Sequence, residues 1–248
     1  MTFVDILSPA CALFLDFDGT LVDIAPEPGA VVVPSSLVPT LGALRQYLGG
    51  AMAVVSGRPI REIDQFLAPL RLPVAGVHGA ERRTADGAVD LLPPHPLQLV
   101  QQAADALAAC HAGLLVEHKS NSVALHYRLA PELEAVCLGA MQDAVDRSPG
   151  LVLLRGKMVV EAKPCGVTKG SAIEAFLREA PFAGRTPIFV GDDVTDEAGF
   201  DTVQGLGGLG IKVGEGATAA WQRLPDPNAL RLEFERALAR KLPQRTPV

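Results

Sequence analysis

Hydrophobic positions along this chain fall into two textures. In the first, short unbroken apolar runs recur: Cys11–Leu15 (CALFL), Ala51–Val55 (AMAVV), Pro187–Val190 (PIFV) and Ile211–Val213. Each is long enough for one buried strand and too short for a helix. Val74–Val77 reads as a further strand, running into His78–Gly79–Ala80–Glu81. Longer mixed segments between these runs predict helices over about Leu37–Leu48, after Pro59, over Thr168–Ala180 and over Asn228–Lys241. Gly49–Gly50 closes the first of these and Pro59 opens the next, the usual punctuation of helix ends. Strands apolar throughout are covered on both faces, so this texture predicts an α/β core around a parallel sheet.

The texture changes near Leu92–Pro96, where Pro93, Pro94 and Pro96 punctuate the chain. An alanine-rich helix is predicted over about Leu97–Ala112. Val123–Leu129 (VALHYRL) then alternates, with Val123, Leu125 and Tyr127 on one face and Ala124, His126 and Arg128 on the other. That is the pattern of a half-exposed antiparallel strand. A helix over Pro131–Asp146 follows, then a strand pair, Leu151–Leu154 and Met158–Glu161, turning at Arg155–Gly156–Lys157. Core texture returns after Lys163–Pro164. The expected organisation is a core made of residues 1–92 and 165–248, interrupted by an inserted α+β cap over residues 93–164.

Composition narrows the partners. The 248 residues carry a net charge of −6, which offers no basic footprint for nucleic acid. Mean hydropathy is +0.25, yet no unbroken apolar run approaches the ~18–20 residues of a membrane helix. The first basic residue is Arg45, so the N-terminal stretch lacks the positive region of a secretory signal. Cys11, Cys110, Cys137 and Cys165 are scattered with no CxxC pair, which fits reduced thiols in a cytoplasmic setting. No obligate protein partner is indicated.

Candidate chemistry sits at the ends of the core strands. Asp16 and Asp18 follow the first run, Ser56–Gly57–Arg58 the second, and Asp192, Asp193 and Asp196 the run Pro187–Val190; Lys169–Gly170 opens a helix. Parallel strands bring their C-terminal ends to one edge, where open α/β sheets bind ligands. Taken singly, Ser56 reads as a helix cap, Lys169 as a solvated helix residue and GDD as a turn. Taken together they suit phosphoryl transfer, in which charge stabilisation carries most of the catalysis. Asp16 is the candidate nucleophile, forming an aspartyl-phosphate. Asp18 is the candidate acid and base on the leaving alcohol and the attacking water. Mg²⁺ prefers carboxylates plus phosphate oxygens; Asp192 would supply a carboxylate to it and Asp196 would orient its waters. Lys169, the Ser56 hydroxyl and backbone N–H groups such as that of Gly57 would hold the phosphate. A phospho-aspartate signalling module shares the strand-end acid, metal and lysine, but has no use for the acid/base at Asp18. A binding protein without activity would not need the full set.

DFDGTL, SGR, Lys169–Gly170 and GDDVTDE resemble, in order, the four signatures of haloacid dehalogenase-type phosphatases. That resemblance implies a Rossmann-like core, Mg²⁺ bound by Asp16, the Asp18 backbone carbonyl and Asp192, and a cap inserted between the second and third signatures. GVHGAERR, VEHKSNSVALHYR, VVEAKPCGVTKG and FAGRTPIFVGDDVTDEAGF are similar to trehalose-6-phosphate phosphatases. This narrower resemblance implies a small sugar-phosphate substrate, with Glu117, Lys119, Arg128, Glu161 and Lys163 as sugar contacts. Another sugar-phosphate phosphatase or a phosphosugar mutase of the same superfamily is the alternative. Cys165 stands where such proteins often carry a lysine. Gly205, Gly207 and Gly210 spell GxGxxG, but they precede a strand and open no helix, so they do not form a dinucleotide fingerprint.

Overall fold

The structure is a computed structural model that describes residues 3–93, 95–119 and 121–241. Pro94, one of the prolines expected at the texture change, lies outside the described residues, as does Ser120 of the VEHKSNS segment. In chain order the helices are α1 (Phe3–Ile6), α2 (Leu37–Tyr47), α3 (Ile60–Phe66), α4 (Gln98–Cys110), α5 (Glu134–Asp146), α6 (Lys169–Leu177), α7 (Glu197–Gly205) and α8 (Pro227–Lys241). The strands are β1 (Cys11–Leu15), β2 (Met52–Val55), β3 (Val74–Gly76), β4 (Glu81–Arg83), β5 (Val89–Leu91), β6 (Leu115–His118), β7 (Val123–His126), β8 (Leu151–Gly156), β9 (Val159–Pro164), β10 (Thr186–Gly191), β11 (Leu209–Val213) and β12 (Gln222–Leu224).

Among the described residues the strands form two sheets. The larger has the order β12-β11-β10-β1-β2-β3-β4-β5, parallel from β12 to β3 and closed by the antiparallel hairpin strands β4 and β5. Alternate residues of its central strands face opposite layers. Leu13, Leu15, Val54, Ile188 and Val190 pack against α2, α3 and α8. Phe14, Ala53, Val55 and Phe189 pack against α6 and α7. Burial on both faces is why these strands read as continuous apolar runs. The chain winds outward from β1 through β2 to β3 and later returns on the other side of β1 at β10. The crevice beside the ends of β1 and β10 is therefore the topological switch point, where such folds place ligands.

The second sheet, order β6-β7-β9-β8, is antiparallel throughout. Val123, Leu125, Val160 and Ala162 turn one of its faces onto α4 and α5. The other face looks across at the switch point of the large sheet. The alternation of Val123–Leu129 thus marks a strand with one face in a core, but the opposite face is not free surface: Ala124 is only 1% exposed.

Several elements differ from the pattern reading. The strand at Val74 ends at Gly76; Val77 and His78 both adopt positive φ (48° and 57°) and turn the chain. The β8–β9 turn lies at Lys157–Met158, one step beyond the expected position, because β8 runs through Gly156. The Asp86–Gly87 pair, which reads as a hairpin turn, joins β4 to β5; β6 and β12 carry no such signal, because they are short, polar and at sheet edges. In β4 the charges are matched locally: Arg82 meets Glu179 at 2.7 Å and Arg83 meets Asp64 at 2.6 Å. Of the GxGxxG glycines, Gly205 ends α7 and Gly210 lies within β11, so only Gly207 sits in the connecting loop; the run opens no helix. Among the described residues no helix is long and apolar enough to cross a membrane.

Candidate active site

Strand β1 delivers Asp16 into a buried position (4% exposed). Across the switch point β10 delivers Asp192, and the 3₁₀ turn Val194–Asp196 behind it tucks Asp196 beneath both. Thr168 caps α6, its side chain accepting the Ser171 N–H while Ser171 Oγ accepts the Thr168 N–H. This places Lys169 in the first turn with its ammonium in the carboxylate cluster, donating to Asp16 Oδ1 at 2.6 Å and Asp196 Oδ1 at 2.7 Å. The other oxygen of Asp196 accepts the N–H groups of Asp192 and Asp193, both at 2.9 Å. Lys157, on the β8–β9 turn, reaches over to Asp192 Oδ2 at 3.0 Å. Lys212 donates from β11 to the Asp192 carbonyl and, at 3.2 Å, to that of Val213, holding the β10 end in place.

Burial pushes the carboxyl of Asp16 well up, and the nearby carboxylates of Asp196 and Asp192 add to this; Lys169 opposes it without cancelling it. Burial likewise raises Asp192, with Asp196 the next cause. Burial disfavours the charge on Lys169, but Asp16 and Asp196 together outweigh it and hold the ammonium above the usual lysine range. Asp16, Asp192 and Asp196 each present a carboxylate oxygen within 4.8 Å of the others. The two oxygens of Asp196 are spent on Lys169 and backbone, whereas the contacts of Asp16 and Asp192 engage one oxygen each. A Cβ on Gly19 (φ 77°) would lie 2.2 Å from Asp192 Oδ2, so the Asp18–Gly19 backbone runs directly against that carboxylate. Hard oxygen donors close together, on carboxylates whose charged forms burial and mutual repulsion disfavour, fit a Mg²⁺ ion.

Asp18 points the other way. Arg58 clasps both of its carboxylate oxygens, Nε at 2.6 Å and Nη2 at 2.9 Å. Glu62 anchors the same guanidinium at 2.9 Å, and the Phe66 ring lies 5.0 Å from it. Ser56, 1% exposed, follows β2 and lines the same cleft as Asp16, and its Oγ accepts the Arg58 N–H at 3.2 Å. A Cβ on Gly57 would meet the His78 ring at 2.8 Å, so the chain passes flat against that imidazole.

The second sheet completes the pocket. Its register sets Glu117 opposite Ala124, Ala124 opposite Glu161 and Glu161 opposite Leu154, one row across four strands. All four line the cleft facing the carboxylate cluster. Glu161 is buried and accepts from Ser122 Oγ (2.5 Å), Lys119 Nζ (3.2 Å) and His78 Nε2 (3.1 Å). Lys119, His78 and Ser122 overcome the effect of burial and hold Glu161 well below the usual carboxylate range. Glu117 is lowered too: burial opposes this, but His126 at 3.1 Å and Lys119 prevail. Arg128 lines the outer rim, donating to the Lys157 carbonyl at 3.3 Å.

Of the residues singled out in the sequence, Asp16, Asp18, Ser56, Gly57, Lys169, Asp192, Glu117, Lys119, Arg128 and Glu161 line one cleft, with Asp196 directly behind it. Lys163 is a correction. It is buried at the junction between the sheets, its ammonium bonded to the Val167 carbonyl, and it does not line the cleft. Cys165 is exposed and also outside it. Among the residues that line the cleft without a role read from the sequence are His78, His126, Lys157 and, within the SGR motif, Arg58. A histidine between glycines in an apolar turn was the available signal for His78. Lys157 gave none beyond its place in a turn.

A parallel sheet with carboxylates at its switch point, under a cap whose sheet faces them, defines a haloacid dehalogenase-like phosphatase fold. Solved structures agree. A trehalose-6-phosphate phosphatase C-terminal domain from C. albicans superposes with a TM-score of 0.85 at 20% identity, over 93% of this chain and 92% of that one. A phosphatase of the haloalkanoate (HAD) superfamily from Bacteroides thetaiotaomicron gives 0.61 at 14% identity, over 94% and 95%. Residues 14–224 match the trehalose-phosphatase family model. The trehalose-6-phosphate phosphatase of Escherichia coli is 45% identical over 220 residues, 88% of this chain and 83% of that protein. The chain belongs to the trehalose-phosphatase family and is a phosphoric monoester hydrolase.

Proposed function

We propose that this enzyme hydrolyses trehalose 6-phosphate to trehalose and phosphate through an aspartyl-phosphate on Asp16, with Mg²⁺ as cofactor and residues 93–164 acting as the cap. The observation that carries the reading is the pairing of two unlike walls in one cleft. Asp16, Lys169 and Asp192 lie on one side, and the hydrogen-bonding groups of Glu117, Lys119 and Glu161 lie on the other.

On this reading Lys169 holds Asp16 Oδ1 and leaves Oδ2 to attack phosphorus. Ser56 and the Gly57 N–H take phosphate oxygens. Mg²⁺, held by Asp16, the Asp18 carbonyl and Asp192, would supply the positive charge that lets a phosphate dianion approach these carboxylates. Asp18 hands a proton to the departing sugar oxygen and takes one from the water that then cleaves the acyl phosphate. Arg58 occupies both Asp18 oxygens in this structure, so the proton transfers require that fork to open. Sequestering the cleft under the cap favours transfer to the bound acid over loss to bulk solvent. Glu117, Lys119 and Glu161 bond sugar hydroxyls, and buried groups of this kind discriminate strongly against ligands that leave them unpaired. The cytoplasm suits a chain with unpaired cysteines.

The test is phosphate release from a panel of sugar phosphates with and without Mg²⁺. A clear kcat/KM preference for trehalose 6-phosphate over glucose 6-phosphate, lost with chelator, is expected. Equal efficiency on both sugars removes the substrate assignment and leaves the phosphatase class.

A further inference from the structure

We propose that His78 is a positioning residue through which the core orients the cap carboxylate Glu161 for sugar recognition, an inference that rests on the substrate reading above. The chain goes to unusual lengths to present this side chain. Immediately after β3, Val77 and His78 both sit in the left-handed region, φ 48° and 57°. That region is uncommon outside glycine and an outlier for a β-branched residue such as Val77. Strain of this kind persists only where surrounding structure enforces it, and it concentrates at functional sites. Its consequence here is that the His78 ring crosses the face of Gly57 in the phosphate loop and meets Glu161, 83 residues away, at 3.1 Å.

The chemistry of the contact is one-directional. Burial pushes the imidazole below its usual range, so the ring is neutral. Glu161 is held ionised, so Nε2 carries the hydrogen and donates. Among the described residues Nδ1 is buried with no hydrogen-bond partner, and the ring's polar contact runs through Nε2. From within the cap, Ser122 and Lys119 both bond Oε1. Oε2 is engaged from the core, by His78. The cap thus fixes one oxygen of the carboxylate and the core the other, so its orientation is complete only when the cap lies over the phosphate loop. Sugar recognition and closure share one hydrogen bond.

His78→Asn tests this. Asparagine tolerates the left-handed backbone but is too short to reach Glu161. Expected is a loss of roughly 10- to 100-fold in kcat/KM for trehalose 6-phosphate, as for a charged buried group deprived of a donor, with a several-fold smaller loss on p-nitrophenyl phosphate. Glu161→Gln should show the same substrate-selective loss, and the double variant little further loss, since the two act as one unit. Equal losses on both substrates would reduce His78 to a prop for the phosphate loop and overturn the proposal; so would fully additive losses, or none. Should His78→Asn fail to fold, the Glu161→Gln result alone decides: an unselective loss there overturns the proposal. Failure of the substrate reading is distinguishable, because it shows in the unmodified enzyme as no preference for trehalose 6-phosphate over glucose 6-phosphate.

Discussion

The two walls of the cleft are built from the same residue types and show opposite electrostatics. On the core wall, buried Asp16 and Asp192 are pushed up, since burial and mutual repulsion outweigh Lys169 and Lys157. On the cap wall, Glu117 and Glu161 are pulled down, although burial opposes this, because Lys119 and the two histidines bond them directly. The difference is one of compensation. On the cap wall each carboxylate is met by directly bonded donors, which leaves an array of oriented donors and acceptors of the kind that binds hydroxyl groups. On the core wall the lysines do not offset burial and carboxylate repulsion, so the anionic forms of Asp16 and Asp192 stay disfavoured, and a cation bound between them would relieve that cost. One wall therefore suits sugar and the other suits metal plus phosphate.

The sharpest way to break this comparison is at the nucleophile. Asp16→Asn removes the attacking oxygen and a metal ligand together, and turnover should fall to background in a variant whose circular dichroism is unchanged. Near-normal phosphate release would sink the mechanism. Chelation comes next. EDTA should abolish activity and Mg²⁺ restore it, while Asp192→Ala should sharply raise the Mg²⁺ concentration required; full activity in chelator would show that the core wall needs no cation.

Asp18→Asn keeps the size of the side chain and removes the transferable proton. A loss of about 10²–10⁴-fold is expected, smaller on an ester whose leaving group needs no proton. A rate unchanged on an alkyl phosphate would exclude the acid/base role. On the cap wall, Glu117→Ala or Lys119→Ala should erode the preference for trehalose 6-phosphate, by roughly 10- to 100-fold in kcat/KM, more than it slows p-nitrophenyl phosphate. Equal slowing would mean that the two walls are not separate in function.

The smallest effect concerns stability. A carboxyl raised on folding, as at Asp16, lowers stability at neutral pH, and that cost is relieved as pH falls through its raised folded value. A carboxyl lowered on folding, as at Glu161, contributes stability above about its ordinary value of 4.5, lost as pH falls through the depressed folded value. Mg²⁺ should therefore raise the melting temperature by a few degrees at neutral pH, and the increment should shrink as pH falls into the carboxylate range. An increment independent of pH would place the ion elsewhere.

Much of this was readable along the chain, for definite reasons. Runs such as Cys11–Leu15 and Pro187–Val190 are apolar because their strands are covered on both faces, so burial itself writes the core into the sequence. Asp16, Ser56, Lys169 and Asp192 are equally legible, since each stands at the end or start of an element whose pattern is clear. Glu117, Lys119 and Glu161 were reached through family resemblance, because polar residues on a cap face carry no periodic signal of what they oppose. Tertiary structure alone decided the rest. Lys163 shares a face with Glu161 by alternation, yet the chain crosses to the core there and its ammonium is spent on the Val167 carbonyl. His78 and Lys157 enter the cleft only because a left-handed turn and a hairpin tip bring residues 83 and 35 positions distant into contact. Local pattern records which side of an element is buried; which buried sides meet is a property of the assembled fold.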